Sequence, residues 1–143
     1  MPRRRDLVVR PVRNGRGIVA CRPFRVGELL CRLGGRVVGS DEVWSYWDTD
    51  PRVAANCLRF DAERYLNPGR GIGAFSNHSC RPNSGAFREG RWLVFRAIRP
   101  ITPGDEVTHD YSTLIGADDV WVMRCNCGER GCRKVVRRFD RLP

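Results

Sequence analysis

Three cysteines within eight residues, Cys125-Asn-Cys127-Gly-Glu-Arg-Gly-Cys132, constrain this chain more than any other feature. The chain has seven cysteines, an odd number, so a fully paired disulfide framework fails on arithmetic. The C-x-C-x4-C spacing fits thiolates sharing a metal in a reducing compartment better than it fits a secreted disulfide scaffold. A structural tetrahedral site takes four ligands, so a fourth must come from elsewhere in the chain. Cys21, Cys31 and Cys57 stand in apolar strand contexts and read as small buried hydrophobes. The competing reading is that the clustered cysteines are free thiols.

The rest of the composition is that of a globular protein. At 143 residues the chain is expected to form one domain with a real core, and its 41% hydrophobic content is ordinary. No apolar run approaches the roughly 18 residues of a membrane span, so no membrane partner is expected. The start, Met1-Pro-Arg-Arg-Arg-Asp6, is basic, with no long apolar stretch or small-residue cleavage site behind it. No secretory signal is read there, and a cytoplasmic or nuclear location is expected. The net charge is +10, and 25 of the 26 basic residues are arginine. Either a surface that simply favours arginine or attraction to a polyanion accounts for this. Basic runs at 3–5 and 133–141 could add non-specific, salt-sensitive DNA or nucleoprotein contact.

In chain order, residues 1–11 read as a frayed basic arm. Asn14-Gly-Arg-Gly17-Ile-Val-Ala20 reads as a glycine turn leading into a strand, and is not a dinucleotide fingerprint because the third glycine and a following long helix are missing. Residues 26–38 hold two apolar runs around Gly34-Gly35, hence two strands. Ser40 or Asp41 starts a helix by its N-cap signature, and Pro51 should stop or interrupt it. Trp44, Tyr46 and Trp47 on that helix are either core or contacts to a ligand. Further strands are expected at 57–61, 64–67, 85–87, 91–98 and 106–108, separated by glycine and proline turns. Many short strands with little room for long helices make a mainly β domain.

Two more stretches stand ahead of the cysteine cluster. Ala74-Phe-Ser-Asn-His-Ser-Cys-Arg-Pro-Asn83 holds one of only two histidines, together with Cys80. Gly104-Asp-Glu-Val-Thr-His-Asp-Tyr111 follows after a strand-rich segment. The three stretches in this order resemble the core of the SET-domain protein lysine methyltransferases with a cysteine-rich post-SET segment. The resemblance runs from about Val12 to Lys134. It implies a mainly β fold, the SET-domain β-clip of small curled sheets. In that fold a C-terminal pseudoknot passes a segment under the central motif, against the usual unthreaded connection. A short helical insert walls the peptide groove, and a zinc-bound post-SET tail follows. The implied division is a basic arm at 1–11, the SET domain at 12–120, and the post-SET segment with its basic tail at 121–143.

The resemblance also implies the chemistry. The cofactor would be S-adenosylmethionine, held by Arg16, Gly17, Asn77, His78 and Tyr111. The glycine turn meets its amino-acid end, and the Asn-His pair meets its adenine end. Cys80 would join Cys125, Cys127 and Cys132 around a structural Zn²⁺, and nearby Arg81, Arg124 and Arg133 would offset the thiolate charge. Tyr111 would be catalytic. Methyl transfer is an in-line displacement that needs a deprotonated lysine, an aligned amine and excluded water, and a tyrosine hydroxyl can orient the amine without being a strong base. Asp110 and Glu106 read as supports. His109 stands where relatives often carry Tyr or Phe, and its imidazole is of a type that titrates near neutral pH. It, Phe139 and Trp121 are the expected lysine-channel residues. Cys31 and Arg32 replace the acidic and aromatic residues of many relatives, and Ala74 replaces a frequent Arg. The implied activity is transfer of methyl groups to the lysine ε-amine of a protein, such as a histone or another DNA-associated basic protein of chromatin. A basic tail is repelled by a +10 chain unless the groove is acidic, for which Asp41, Glu42, Asp48, Asp50, Asp118 and Asp119 are candidates. The alternative is a non-catalytic, zinc-stabilised module that docks nucleic acid or protein.

Overall fold

Short apolar runs cut by glycine and proline turns can build only small sheets, and the computed structural model, described for residues 6–115 and 122–138, has four of them. Strands β1 (Leu7–Val12) and β2 (Gly15–Ala20) form a hairpin, turning at Gly15 with φ +83°. Strands β3 (Leu29–Leu33) and β4 (Arg36–Gly39) flank the Gly34-Gly35 turn. Helices α1 (Ser40–Thr49) and α2 (Pro51–Asn56) follow, then β5 (Leu58–Arg59), β6 (Arg64–Asn67) and the two-residue strand β7 (Asn77–His78). The chain continues through β8 (Ser84–Glu89), β9 (Trp92–Ala97), β10 (Glu106–His109), β11 (Met123–Arg124) and β12 (Val135–Val136). The sheets run β1-β2-β10-β7, β3-β9-β8, β4-β6-β5 and β11-β12. The mainly β expectation holds.

Two local expectations are corrected. Residues 7–11 do not fray. They pair with β2 in unbroken register from Leu7 opposite Ala20 to Val12 opposite Gly15, and Leu7 is buried. The basic composition of the first residues hid a strand whose partner lies across a turn. Pro51 does interrupt α1, but it also opens α2, where its fixed φ suits the first helical position and the Asp50 side chain accepts the Val53 N–H at 3.4 Å. The expected N-cap hydroxyl is used elsewhere: Ser40 Oγ donates to the Glu63 carbonyl at 2.8 Å, and Gly39 precedes the helix without a side-chain cap.

The main core packs Ile18, Phe24, Leu30, Phe95, Ile101 and Val107, contributed by two of the sheets and the loops beside them. A smaller cluster of Val38, Val43 and Tyr65 seats α1 on the β4-β6-β5 sheet. Strand β10 lies between β2, to which it is antiparallel, and β7, to which it is parallel with Thr108 opposite Asn77 and His109 opposite His78. A two-residue ladder is weak alone, and side chains from the start of β8 reinforce it. Asn83 Nδ2 donates to the Glu106 carbonyl at 2.8 Å, its Oδ1 accepts the Thr108 N–H at 3.0 Å, and Ser84 Oγ donates to the Thr108 carbonyl at 2.7 Å. Asn83 thus serves β10 as a substitute strand.

The C-terminal segment docks on the β1–β2 turn. Arg13 Nε and Asn14 Nδ2 both donate to the Asn126 carbonyl, at 3.0 and 2.8 Å, and Asn126 Nδ2 returns a bond to Asn14 Oδ1 at 3.0 Å. Replacing Asn83 by Ala removes two hydrogen bonds and leaves the Thr108 N–H unpaired inside the protein. The expected cost is about 2–3 kcal/mol, read as a lower midpoint with an unchanged slope in urea unfolding.

Candidate active site and metal centre

The β7–β10 ladder sets two histidines side by side, and the chain turns immediately after it so that Tyr111 folds back over both. The Tyr111 hydroxyl donates to the Ser76 carbonyl at 2.6 Å, and its main-chain N–H donates to His78 Nδ1 at 3.0 Å. Burial, reinforced by the Glu106 charge, pushes the phenol up to about 12, so it keeps its proton at neutral pH. His78 accepts on Nδ1 and therefore carries its proton on Nε2, which lies 3.3 Å from Cys80 Sγ. Burial, with Arg133 adding to it and Asp110 opposing, takes this imidazole down to about 4.

His109 does not titrate near neutral pH. Burial, helped by His78 and opposed by Asp110, pushes it down to about 3. Its Nδ1 is 2.6 Å from Ser76 Oγ, and its ring lies against Phe95 and Tyr111 at centroid separations of 5.2 and 4.9 Å. Ser76 therefore touches both rings, its carbonyl holding Tyr111 and its hydroxyl holding His109. It lies in the 74–83 stretch that the sequence singled out, but nothing there gave it this role.

Asp110 supports the turn that begins at Tyr111, its Oδ1 accepting the Ser112 N–H at 3.0 Å. Burial acts to raise its carboxyl, but the Arg133 guanidinium and the Ser112 N–H outweigh it and hold the group below the usual carboxylate range. Arg133 grips it with both terminal nitrogens, at 2.9 and 2.8 Å. The guanidinium is bonded to Asp110 and also lies within the electrostatic reach of Cys80 and Cys125.

The sulfur atoms of Cys80, Cys125, Cys127 and Cys132 all lie within 4.8 Å of one another, and those of Cys80 and Cys125 are 3.6 Å apart. Metal–thiolate bonds of about 2.3 Å place tetrahedral sulfurs roughly 3.8 Å apart, so this donor set fits one four-coordinate ion. The cluster can hold a metal. Main-chain N–H groups already point at two of the sulfurs, Arg133 at Cys80 and Lys134 at Cys132, each at 3.3 Å. The thiols share their protons: burial acts to raise them all, Cys125 and Cys80 are pushed up, and Cys127 is brought down by backbone N–H groups and by hydrogen bonds from Cys125 and Cys132. The remaining cysteines stand apart. Cys31 is pushed up to about 12 by burial, and Cys57 up to about 11 by burial and then Glu42, so both remain thiols. Cys21, expected to be buried, is exposed just beyond the end of β2.

Two cavities adjoin the ladder. Successive residues of a strand face opposite sides, and Thr108 lines one cavity while His109 lines the other. The first is apolar: Trp44 and Trp47 of α1, with Leu58 and Leu114, lead to Ser76, His109 and Tyr111. Among the described residues, its lining carries no charged side chain. The tryptophans are not core, being 45% and 40% exposed. Of the acidic candidates, Asp41, Glu42, Asp48 and Asp50 do not line this cavity, Glu42 being held by Arg36 at 2.7 Å and Asp50 capping α2, and Asp118 and Asp119 lie outside the described residues. Arg32 turns instead to the Trp92 ring, 5.3 Å from its centroid. Trp121 and Phe139 also lie outside the described residues.

The second cavity is polar, lined by Arg13, Asn14, Asn77, His78, Glu106 and Glu129 among others. Asn77 Nδ2 donates to the Arg16 carbonyl at 3.0 Å and to Glu106 Oε1 at 2.7 Å, tying the glycine turn to the ladder. A Cβ at Gly17 would run into the Glu106 carboxylate and come within 3.0 Å of Asn77 Nδ2. Glycine is required for this close approach.

A SET domain model matches residues 15–112, from the glycine turn through Tyr111. The chain belongs to the SET domain family. Relatives of this SET domain include a protein of Caenorhabditis elegans named "Probable histone-lysine N-methyltransferase lin-59", 36% identical over 79% of this chain and 9% of the relative. Histone-lysine N-methyltransferase Su(var)3-9 of Drosophila melanogaster is 31% identical over 86% of this chain and 23% of its own length. A Caenorhabditis briggsae protein named "Probable histone-lysine N-methyltransferase set-23" is 32% identical over 86% and 56%. The SET domain described here thus spans between about a tenth and somewhat over half of these relatives. Among the described residues no helix is long and apolar enough to cross a membrane.

The buried, neutral His109 makes this SET domain acid-sensitive. Its folded-state value is depressed, so below about 6.5 the unfolded chain takes up a proton that the folded protein refuses. Stability is full above that pH and falls as pH drops toward about 3. In urea unfolding between pH 7 and pH 4, the slope of stability against pH should flatten by about 1.4 kcal/mol per unit in His109→Asn, which cannot take up that proton.

Proposed function

We propose that this SET domain transfers methyl groups from S-adenosylmethionine to the lysine ε-amine of a protein, with Tyr111 as its catalytic residue. The observation that carries the reading is the Tyr111 phenol, protonated and locked on the Ser76 carbonyl at the inner end of an apolar cavity. When bound, S-adenosylmethionine supplies an electrophilic methyl group on a sulfonium sulfur. The polar cavity is the site assigned to it, with Asn77 and His78 in its lining and the Arg16-Gly17 turn tied to it by the Asn77 bond to the Arg16 carbonyl.

The apolar cavity is assigned to the lysine side chain. Its uncharged lining disfavours an ammonium and biases the lysine toward the neutral amine, which is the nucleophile. Tyr111 commits its proton to Ser76 and so meets an amine as a hydrogen-bond acceptor. It aligns the amine without removing a proton. Trp44, Trp47 and Leu114 exclude water from the approach. His109, neutral and fixed by Ser76, shapes the cavity beside Tyr111 and sets how many methyl groups fit.

The metal is assigned as zinc, because four soft thiolates in a compact set favour it and its role is to tie the C-terminal segment to the SET domain. A histone or another DNA-associated basic protein is the proposed substrate, in keeping with the names of the relatives, and the basic runs at 3–5 and 133–141, Arg133 apart, would add non-specific nucleoprotein contact. The proposed action is with chromatin, in keeping with the names of the relatives.

Radiolabelled methyl transfer from S-adenosylmethionine to histones, other DNA-binding proteins and the protein itself tests the reading. Label is expected on a substrate lysine, with Tyr111→Phe reducing the rate by about 10²-fold or more. Absence of both transfer and cofactor binding by metal-loaded protein would overturn it. Elemental analysis should find one zinc per chain, lost in Cys127→Ser.

A further inference from the structure

Cys80 does more than offer a sulfur to the metal set. Its Sγ accepts the Arg133 main-chain N–H at 3.3 Å and lies 3.3 Å from His78 Nε2. Both contacts lead to Tyr111. His78 takes the Tyr111 main-chain N–H on its other ring nitrogen, at 3.0 Å. Arg133 reaches from the cysteine segment to Asp110 and Ser112, which are 8% and 1% exposed, gripping the carboxylate with both terminal nitrogens and touching Ser112 Oγ at 3.2 Å. Asp110 in turn caps the helical turn that begins at Tyr111.

A two-pronged arginine–carboxylate contact is directional as well as strong. Losing one partner leaves a buried charge unpaired and the turn free to move. Apart from one fully buried side chain, Val136, the segment that carries Arg133 is held by small contacts. Strands β11 and β12 are two residues each, and the residues between them are held by turns and by the Asn14–Asn126 pair. Its place depends on the four cysteines being gathered, and a bound metal supplies that constraint.

We infer that Arg133 is a positioning residue that makes the placement of Tyr111 conditional on the cysteine cluster. With the metal bound, Arg133 holds Asp110 and Cys80 holds His78, and the two together fix the turn from both sides. Without it the cysteine segment loosens, Asp110 loses its partner, and the phenol loses its seat on the Ser76 carbonyl. The link between metal and Tyr111 stands on the contacts alone. Its kinetic consequence rests on the methyl-transfer reading above.

Amide hydrogen exchange on the zinc-loaded protein tests this, with Tyr111 as reporter and the core residue Phe95 as reference. Removing zinc from the wild type with a chelator should speed Tyr111 exchange by about 10-fold or more while Phe95 stays protected. Arg133→Gln, which removes no cysteine, should still hold one zinc per chain but show fast Tyr111 exchange even when loaded. Its kcat should fall by about 10- to 100-fold with the substrate KM within about 2-fold, and Arg133→Lys should recover part of the loss. Wild-type Tyr111 exchange in zinc-loaded Arg133→Gln would overturn the inference. So would equal acceleration at Phe95 on zinc removal, which would make the metal a general staple instead of a local relay. If Arg133→Gln does not fold, the wild-type chelation experiment decides alone. If no form of the protein transfers methyl groups, the exchange data still decide the link, and only the catalytic reading fails.

Discussion

The site depends on one short parallel pairing, the two-residue ladder between β7 and β10. It brings Asn77 and His78 beside Thr108 and His109, joining stretches about 30 residues apart in sequence. So short a ladder cannot be stable by its own two rungs. It holds because β10 is also paired with β2, because Asn83 and Ser84 supply side-chain bonds to its backbone, and because Asn77 is pinned to Arg16 and Glu106. The cysteine cluster, the glycine turn and the Tyr111 turn all attach to this one place.

Electrostatically the site is unlike the surface around it. The chain carries +10, yet both histidines next to Tyr111 are neutral, and Tyr111 itself keeps its proton. Burial is the first cause in all three. Desolvation disfavours whichever form is charged, pushing imidazoles down and the phenol up. The charged pair nearby, Asp110 with Arg133, is tolerated because its geometry is two-pronged and the carboxylate has the Ser112 N–H as well. A neutral pocket is well suited to a reaction whose nucleophile must be uncharged.

The short-strand architecture was legible because glycine and proline punctuation is local chemistry, and the strands at 29–33, 36–39, 64–67 and 92–97 fall within or beside the apolar runs. The cysteine spacing was legible for the same reason, since three ligands in eight residues need no tertiary information to be close. What failed was local context read without partners. The basic start concealed β1, Ser40 bonds Glu63 instead of capping its helix, and Cys21 is exposed where an apolar run suggested burial. The bonds of Ser76 to Tyr111 and His109 and the grip of Arg133 on Asp110 could not be read from the sequence, because a serine and an arginine are unremarkable until a distant residue is placed against them.

The sequence by itself determined the fold class, the three motif stretches and their order, and the family they resemble. Residue type and spacing carry that information, and both are properties of the chain alone. Only the tertiary structure decided that the four sulfurs, Cys80's included, lie within 4.8 Å of one another, that Tyr111 rests on the Ser76 carbonyl, and that His109 is too deeply buried to titrate near neutral pH. Those facts are contacts and burial between segments tens of residues apart. They exist only once β10 has been placed between β2 and β7.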